Sequence, residues 1–277
     1  MSAMTPGVAS AVSPLVRRII APNPGPMTGP GTNTYLVGVD DVAVVDPGPA
    51  DADHIDAVVG CAGATRIRWI VLTHTHPDHA PGASLLAERT GAEVLAFRRG
   101  SGDVHLDGWL DEGDVVTGTE FALDVLHTPG HVPNHLCFLL EGEAVLFTGD
   151  TVLEGTTSVV SPPTGGDMAA YLDTLERLSG IRPLRRIAPG HGQIIEEPRA
   201  AIEEYRSHRA ERESQILGVL SSGPATIPAV VRSVYADDDL PDVLVEMAGR
   251  QVHAHLLKLR DEGSVEGRSA TSKWRLA

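Results

Sequence analysis

The sequence predicts a mixed α/β (α+β) fold: an αββα sandwich of two mixed sheets faced by helices, with a small helical domain at the C-terminus. Three observations predict it. Short apolar runs, such as 69–72 and 136–140, recur between amphipathic helical stretches as far as about residue 200. Polar residues able to carry chemistry stand just past several of these runs, beside glycine or proline, where a strand end hands over to a loop. After Pro198 the pattern changes to three helices and a short hairpin.

Residues 1–13 hold Ser, Ala, Pro and Gly without a pattern and are expected to form a disordered tail. A first strand follows over 15–21. Residues 22–34 carry too many Pro and Gly residues for regular structure. A loop of this length is either one wall of a substrate cleft, with Thr28, Thr32 and Asn33 as polar contacts, or a Pro-stiffened surface loop. Strands over 35–39 and 42–46 form a hairpin, and the second ends on Asp46, before Pro47 and Gly48. A helix spans 51–62 with Ile55, Val58 and Val59 on one face. The buried strand 69–72 leads through a polar loop into a helix starting at Ala80. Residues 93–97 read as a strand, 98–102 as a polar loop and 103–114 as irregular. Paired strands through Gly118 occupy 115–125, and a second hairpin joins 136–140 to 144–148. Residues 152–166 form another long loop, after which Asp167 caps a helix reaching Ser179. A strand over 185–188 runs toward His191.

Pro198 suits the first turn of a long helix to Ser221, whose charged middle, 206–213, is expected to be exposed. A short helix over 226–235, a solvated acidic turn at 237–239 and a third helix from Pro241 or Asp242 through Leu259 follow. Gly263 stops that helix, and 265–267 pairs with 273–276. Three helices and a β wing look like a winged helix. The expected division is a tail at 1–13, a sandwich domain at 14–200 and a helical connector with a winged-helix-like domain at 201–277.

The loop Thr73-His74-Thr75-His76-Pro77-Asp78-His79 organises the rest. Imidazole and carboxylate are ligands that a borderline cation such as Zn²⁺ prefers. Alternation at His74 and His76 sends two rings to one side of an extended backbone. Asp78 and His79 lie past the turn at Pro77 and face a second position nearby. One loop can thus begin two adjacent metal sites. His131, Asp150 and His191 add donors in His127-Thr128-Pro129-Gly130-His131, Leu146-Phe147-Thr148-Gly149-Asp150 and Ala188-Pro189-Gly190-His191-Gly192.

This spacing and order resemble the metallo-β-lactamase superfamily over roughly residues 15–200. The resemblance implies that His74, His76 and His131 bind one metal, that Asp78, His79 and His191 bind another, and that Asp150 bridges them. It implies a metal-bridging hydroxide oriented by Asp78 as the nucleophile, so no Ser or Cys is needed for attack on a carbonyl or phosphoryl group. Two zinc ions per chain are expected, and Mn or Fe also suits a ligand set of nitrogen and oxygen alone. Asp in place of Cys at position 150 resembles the glyoxalase II and ribonuclease branches and argues against antibiotic hydrolysis. Asp46 resembles the residue that braces the ligand loop from behind. The alternative is an acid that starts a turn before Pro47. His135 either caps its loop or stands behind the ligands, with capping favoured, and His127 reads as structural. His54, His105, His208, His253 and His255 read as surface or helix residues, and Tyr171 as core.

The start, Asn23-Pro24-Gly25-Pro26 with Gly31-Thr32-Asn33-Thr34-Tyr35-Leu36-Val37, together with the metal set and winged helix, is most similar to the family of β-lactamase-like protein two. That family includes an endoribonuclease acting on single-stranded RNA and fungal enzymes that release acyl groups from carrier-protein thioesters.

Composition weighs between these. The 277 residues are 42% hydrophobic, enough for a full core, and only 4% aromatic. A formal charge of −15 repels nucleic acid and anionic membranes at long range. Residues 205–277 hold ten Lys or Arg against ten Asp or Glu, so no phosphate footprint stands out unless Arg250, Lys258, Arg260, Arg268, Lys273 and Arg275 share a face. Hydrolysis of a thioester or ester, on a small molecule or an acyl carrier, fits best. Cleavage of RNA phosphodiesters is the alternative. A metal-sensing DNA-binding regulator comes third, because a full ligand set exceeds what binding alone requires. Cys61 and Cys137 read as free buried thiols. No charged leader and no membrane-length apolar run precede the fold, so a cytoplasmic protein is expected. The oligomeric state stays open.

Overall fold

The structure, a computed structural model, describes residues 4–97, 104–236 and 241–277. The expected polar loop at 98–102, the acidic turn at 237–239 and residues 1–3 of the tail lie outside the described residues. The chain divides into two compact units. One comprises residues up to 128, 134–157 and 181–199; the other comprises 129–133, 158–180 and 200 onward.

The first unit holds two sheets. In the seven-stranded sheet, spatial order follows chain order: β1 (Ser10–Ala11), β2 (Val16–Ile20), β3 (Asn33–Val37), β4 (Asp41–Val45), β5 (Arg66–Val71), β6 (Glu93–Phe97) and β7 (Gly108–Leu110). β1 to β4 pair antiparallel, and β4 to β7 pair parallel. Parallel neighbours need a crossover, and α1 (Ala52–Ala62) and α2 (Gly82–Thr90) supply two of them. Every residue of β3 is buried, because both faces of the strand are covered. Leu36 packs with Ile55, Val58 and Leu86 on the helix side, while Tyr35 and Val37 join the opposite core. Asp51 caps α1 by accepting the His54 N–H at 2.8 Å.

The second sheet has the order β12-β11-β10-β9-β8. Its strands are β8 (Val115–Thr117), β9 (Ala122–His127), β10 (Leu136–Leu140), β11 (Val145–Gly149) and β12 (Arg186–Pro189). Tyr35, Val45 and Val71 of the first sheet pack against Leu123, Phe138 and Phe147 of the second, which makes the sandwich. Each such buried side chain contributes about 1.5–3 kcal/mol of transfer free energy.

Two expectations fail here. Part of the tail is ordered, since Ser10 and Ala11 pair with Arg18 and Arg17. The stretch 103–114 is not wholly irregular, since Gly108–Leu110 pairs with β6. In both cases an edge strand's unpaired N–H and C=O groups recruit a short segment that has no strand pattern of its own.

The second unit contains α3 (Met168–Ser179), most of α4 (Pro198–Ser221), α5 (Ile227–Val234) and α6 (Asp242–Asp261). Its strands are β13 (Ala225–Thr226), β14 (Val265–Glu266) and β15 (Lys273–Leu276), in the order β13-β15-β14. β13 thus adds a strand to the expected hairpin. Ile216 and Leu220 of α4, Val230 of α5, Val252 and Leu256 of α6 and Trp274 of β15 share one core. Another expectation fails in α4. Its charged middle is not uniformly exposed, because Arg209 is 1% exposed. Arg209 shares a helical stripe with the buried Ile202, Tyr205, Ile216 and Leu220. Among the described residues no helix is long and apolar enough to cross a membrane.

Candidate metal centre

β4 and β5 are parallel neighbours, so Asp46 and the 73–79 loop leave the sheet at the same edge. Asp46 has φ 50°, in the left-handed region, at a cost of about 1 kcal/mol for a residue with a side chain. Its carboxylate is buried against the loop. Oδ1 accepts the Thr73 N–H at 2.8 Å. Oδ2 accepts the Thr73 hydroxyl at 2.6 Å and the Nδ1–H of His79 at 2.8 Å. The Thr73 oxygen, its proton committed to Asp46, accepts the Nδ1–H of His74 at 3.0 Å. His191 directs its Nδ1–H at the Gly31 carbonyl, 3.3 Å away. His131 gives its own to the Val159 carbonyl at 2.6 Å. Each outer hydrogen bond fixes a tautomer and leaves Nε2 as the donor to a cation.

These donors converge. His74 Nε2 lies 2.9 Å from His76 Nδ1, and His79 Nε2 lies 3.2 Å from His191 Nε2. Asp78 Oδ2 is 3.2 Å from His191 Nε2 and 3.6 Å from His79 Nε2. Asp150 stands between the two sets. Its Oδ1 is 3.3 Å from His79 Nε2 and 3.4 Å from His191 Nε2, while Oδ2 faces His74 Nε2 at 3.9 Å. The ligand atoms of His74, His76, His131 and Asp150 lie within 4.8 Å of one another, and so do those of Asp78, His79 and His191. Two clusters of nitrogen and oxygen donors, without sulfur, fit two divalent cations. The Asp78 side chain is 27% exposed against 13% for Asp150, so it is the more open of the two carboxylates.

Charge is balanced inside this cluster. Burial raises the Asp150 carboxyl, but the imidazoles of His79, His191 and His74 outweigh it and hold the group well below the usual carboxylate range. Burial opposes a charge on His79, yet Asp150 and Asp46 together hold its pKa well above the ordinary value. Burial raises Asp78 too, and the bond to His191 and the charge on His79 bring it below its ordinary value.

The metallo-beta-lactamase superfamily model matches residues 27–191, more than half of the chain. The chain belongs to the metallo-β-lactamase superfamily. A beta-lactamase associated winged helix domain matches residues 226–274. A β-lactamase-like protein 2 homolog of Drosophila melanogaster is 34% identical over 282 residues, covering 95% of this chain and 93% of that one. An atrochrysone carboxyl ACP thioesterase of Aspergillus chevalieri is 32% identical over 284 residues, covering 95% and 87%. A crystal structure of a metallo-beta-lactamase family protein from Thermus thermophilus superposes with a TM-score of 0.80 at 24% identity, covering 96% of this chain and all of that one.

This metallo-β-lactamase superfamily hydrolase places the seven side chains singled out in its sequence in two clusters that could each hold a cation, and the Asp46 carboxylate lies 2.8 Å from His79 Nδ1. The substrate-contact reading of the 22–34 loop fares worse. Thr32 and Asn33 are 0% exposed. Thr32 is tied to Asn23 through its N–H and hydroxyl. The Asn33 amide donates to the carbonyls of Pro189 and Gly192 at 2.9 and 3.0 Å, so it holds the loop that carries His191. Thr28 is half-buried and donates to the Asn23 carbonyl at 2.6 Å. Their Pro- and Gly-rich context suggested an open loop; the isolated bridge between Thr32 and His191 closes it onto the site.

His135 does more than cap its loop. Its Nε2 accepts the Asp150 N–H at 3.2 Å, its ring stacks on His74 at 5.0 Å, and its Nδ1 is held by Thr128 at 2.9 Å. Gly190 is also part of the site. A Cβ there would come within 2.7 Å of His79 Cε1 and 2.8 Å of Asp150 Oδ1, so only glycine passes between them. The glycine in Pro189-Gly190-His191 was the available signal.

Proposed function

We propose that this protein is a binuclear zinc-dependent hydrolase acting on a thioester or ester, carried by a small molecule or an acyl carrier. The position of Asp150 carries the binuclear reading, with Oδ1 toward His79 and His191 and Oδ2 toward His74. His74, His76 and His131 would hold one cation and Asp78, His79 and His191 the other, with Asp150 between them. When bound, the pair supplies Lewis acidity and an activated water at neutral pH. Asp78, the more open carboxylate, would orient that water. Asp46 and Thr73 keep His79 and His74 in the ligating tautomer.

The thioester reading draws on the thioesterase named among the relatives and on the surface charge of the second unit. Four of the six basic residues named above have carboxylate partners. Arg250 pairs with Glu246, Lys258 with Glu213 and Glu262, Arg260 with Asp261 and Arg275 with Glu266. Such neutralised side chains release few counterions from a phosphate backbone.

The test is turnover of an acyl-thioester panel beside a labelled single-stranded RNA by the zinc-loaded protein, with Asp78→Ala in both arms. Thioester cleavage lost in the variant, with RNA intact, supports the proposal. RNA cleavage lost in the variant overturns the substrate class and leaves a metal-dependent nuclease.

A further inference from the structure

α4 places a charge where its apolar stripe calls for a hydrophobe. Ile202, Tyr205, Ile216 and Leu220 are buried at helical spacing, and Arg209 falls among them, 1% exposed. No carboxylate partners it among the described residues. Its Nη1 donates to Gln251 Oε1 at 2.5 Å and its Nη2 to the Ser158 carbonyl at 2.5 Å. The guanidinium lies 5.3 Å from the centre of the Tyr171 ring, and Nε has no acceptor among the described residues. A guanidinium buried without a counter-ion is costly, and a Leu or Met of similar volume would suit the stripe better.

What Arg209 holds suggests why it is there. Ser158 and Val160 are 0% exposed, so the stretch between them is packed in place. The carbonyl next to the one Arg209 binds, that of Val159, receives the Nδ1–H of His131 at 2.6 Å. The Ser158 hydroxyl lies 3.5 Å from the same nitrogen. The other side of the His131 loop is tied to α3. Thr174 donates to the Pro129 carbonyl at 2.8 Å, and a Cβ on Gly130 would meet Tyr171 Cα at 2.4 Å. All of these residues belong to the second unit.

We infer that Arg209 is a positioning residue for His131. Its hydrogen bond fixes the peptide at Ser158, which aims the Val159 carbonyl at the His131 Nδ1–H and so leaves Nε2 as the ligating nitrogen. Outer hydrogen bonds of this kind are worth about 10–100-fold in metal affinity, by general precedent. The inference rests on the reading of His131 as a metal ligand.

The experiment titrates Zn²⁺ into the metal-free full-length protein against a chromophoric chelator, in wild type, His131→Ala, Arg209→Met and Arg209→Lys. Imidazole ¹⁵N NMR of the metal-free proteins reads the His131 tautomer directly. Arg209→Met is expected to weaken one of two zinc ions about 10–100-fold, leaving the other within about twofold, as His131→Ala does. The His131 resonances should change from a single Nδ1–H form to an average of two tautomers. Arg209→Lys, which keeps one donor for the Ser158 carbonyl, should fall between, and it carries the test alone if Arg209→Met fails to fold by circular dichroism. Wild-type affinities in a folded Arg209→Met, with one ion weakened in His131→Ala, overturn the inference. If His131→Ala itself changes neither affinity, the ligand reading is wrong, and an unchanged Nδ1–H tautomer in the Arg209 variants then overturns the positioning role as well.

Discussion

Around the metal centre, ring nitrogens of His74, His76, His79 and His191 face one another in pairs at 2.9 and 3.2 Å. In the packed helices, His54 of α1, His208 of α4 and His253 and His255 of α6 each leave one ring nitrogen buried without a hydrogen-bond partner among the described residues. Burial lowers the pKa of all four. At His79 burial acts in the same direction, but Asp150 and Asp46 reverse it. A carboxylate behind the ring does not by itself mark a ligand. His255 Nδ1 lies 3.1 Å from Glu213 much as His79 Nδ1 lies 2.8 Å from Asp46. What separates the two is the inner nitrogen: at His79 it meets a second ring and two carboxylates, and at His255 it has no hydrogen-bond partner among the described residues.

Removing the shared carboxylate should break the contrast most completely. Asp150→Ala takes away a side chain that faces both donor groups. On the proposed binuclear reading, metal content of the purified variant, read by plasma mass spectrometry, is expected to fall from two ions to one or none. Affinity should drop by more than about 100-fold, beyond the loss from a residue that only orients a ligand. Two ions retained at wild-type affinity would show that the donor groups are independent of Asp150.

The candidate ligands were legible because they sit in loops that follow apolar runs, with Pro77 inside the first loop and glycine beside His131, Asp150 and His191. Helix boundaries were legible for the same reason, as with the Asp167 cap and Pro198 at the start of α4. What stayed hidden has no local signature. Asn33 reaches a carbonyl 156 residues away, and Arg209 reaches one 51 residues away. Composition placed Arg209 on a solvated surface, whereas its stripe buries it. His135 looked like a loop cap because its bond to the Asp150 backbone depends on β10 and β11 lying side by side.

The buried histidines away from the centre should show themselves in acid. His54 has a folded pKa of about 4 against 6.5 for the free group, because burial disfavours its charge. The folded protein therefore resists protonation at a site that the unfolded chain protonates readily. Stability from this group is complete above pH 6.5 and is lost as pH falls toward 4, about 3 kcal/mol in all. Urea unfolding of wild type and His54→Gln between pH 4 and 8 should show the wild type losing that much more. Parallel curves would mean that the Thr34 hydroxyl, 2.9 Å from His54 Nε2, stabilises the charged ring as well as the neutral one.

A smaller effect is expected behind the ligands. Asp46→Asn keeps a residue that tolerates φ 50° and keeps an oxygen for Thr73, but replaces a full negative charge beside His79 with a neutral amide. Zinc affinity by chelator competition should fall about 10–100-fold. Glu213→Gln, the matching change behind His255, should leave it unaltered. Equal losses in both variants would place the effect in overall stability rather than at the centre.

The smallest expected change makes the strictest comparison. His253 lies on α6 with its ring 6.1 Å from Trp274 and its Nε2 buried without a partner. Burial lowers its pKa. Its ring nitrogen is buried like those of the candidate ligands, yet the ring faces an indole and not a second donor. His253→Gln should leave both zinc affinities within about twofold of wild type and shift stability by no more than about 0.5 kcal/mol, the range of a change outside any network. A variant that loses zinc while its metal-free melting temperature stays put would mean that neutral, buried histidines matter to the centre without converging on it, and convergence would no longer separate the two kinds.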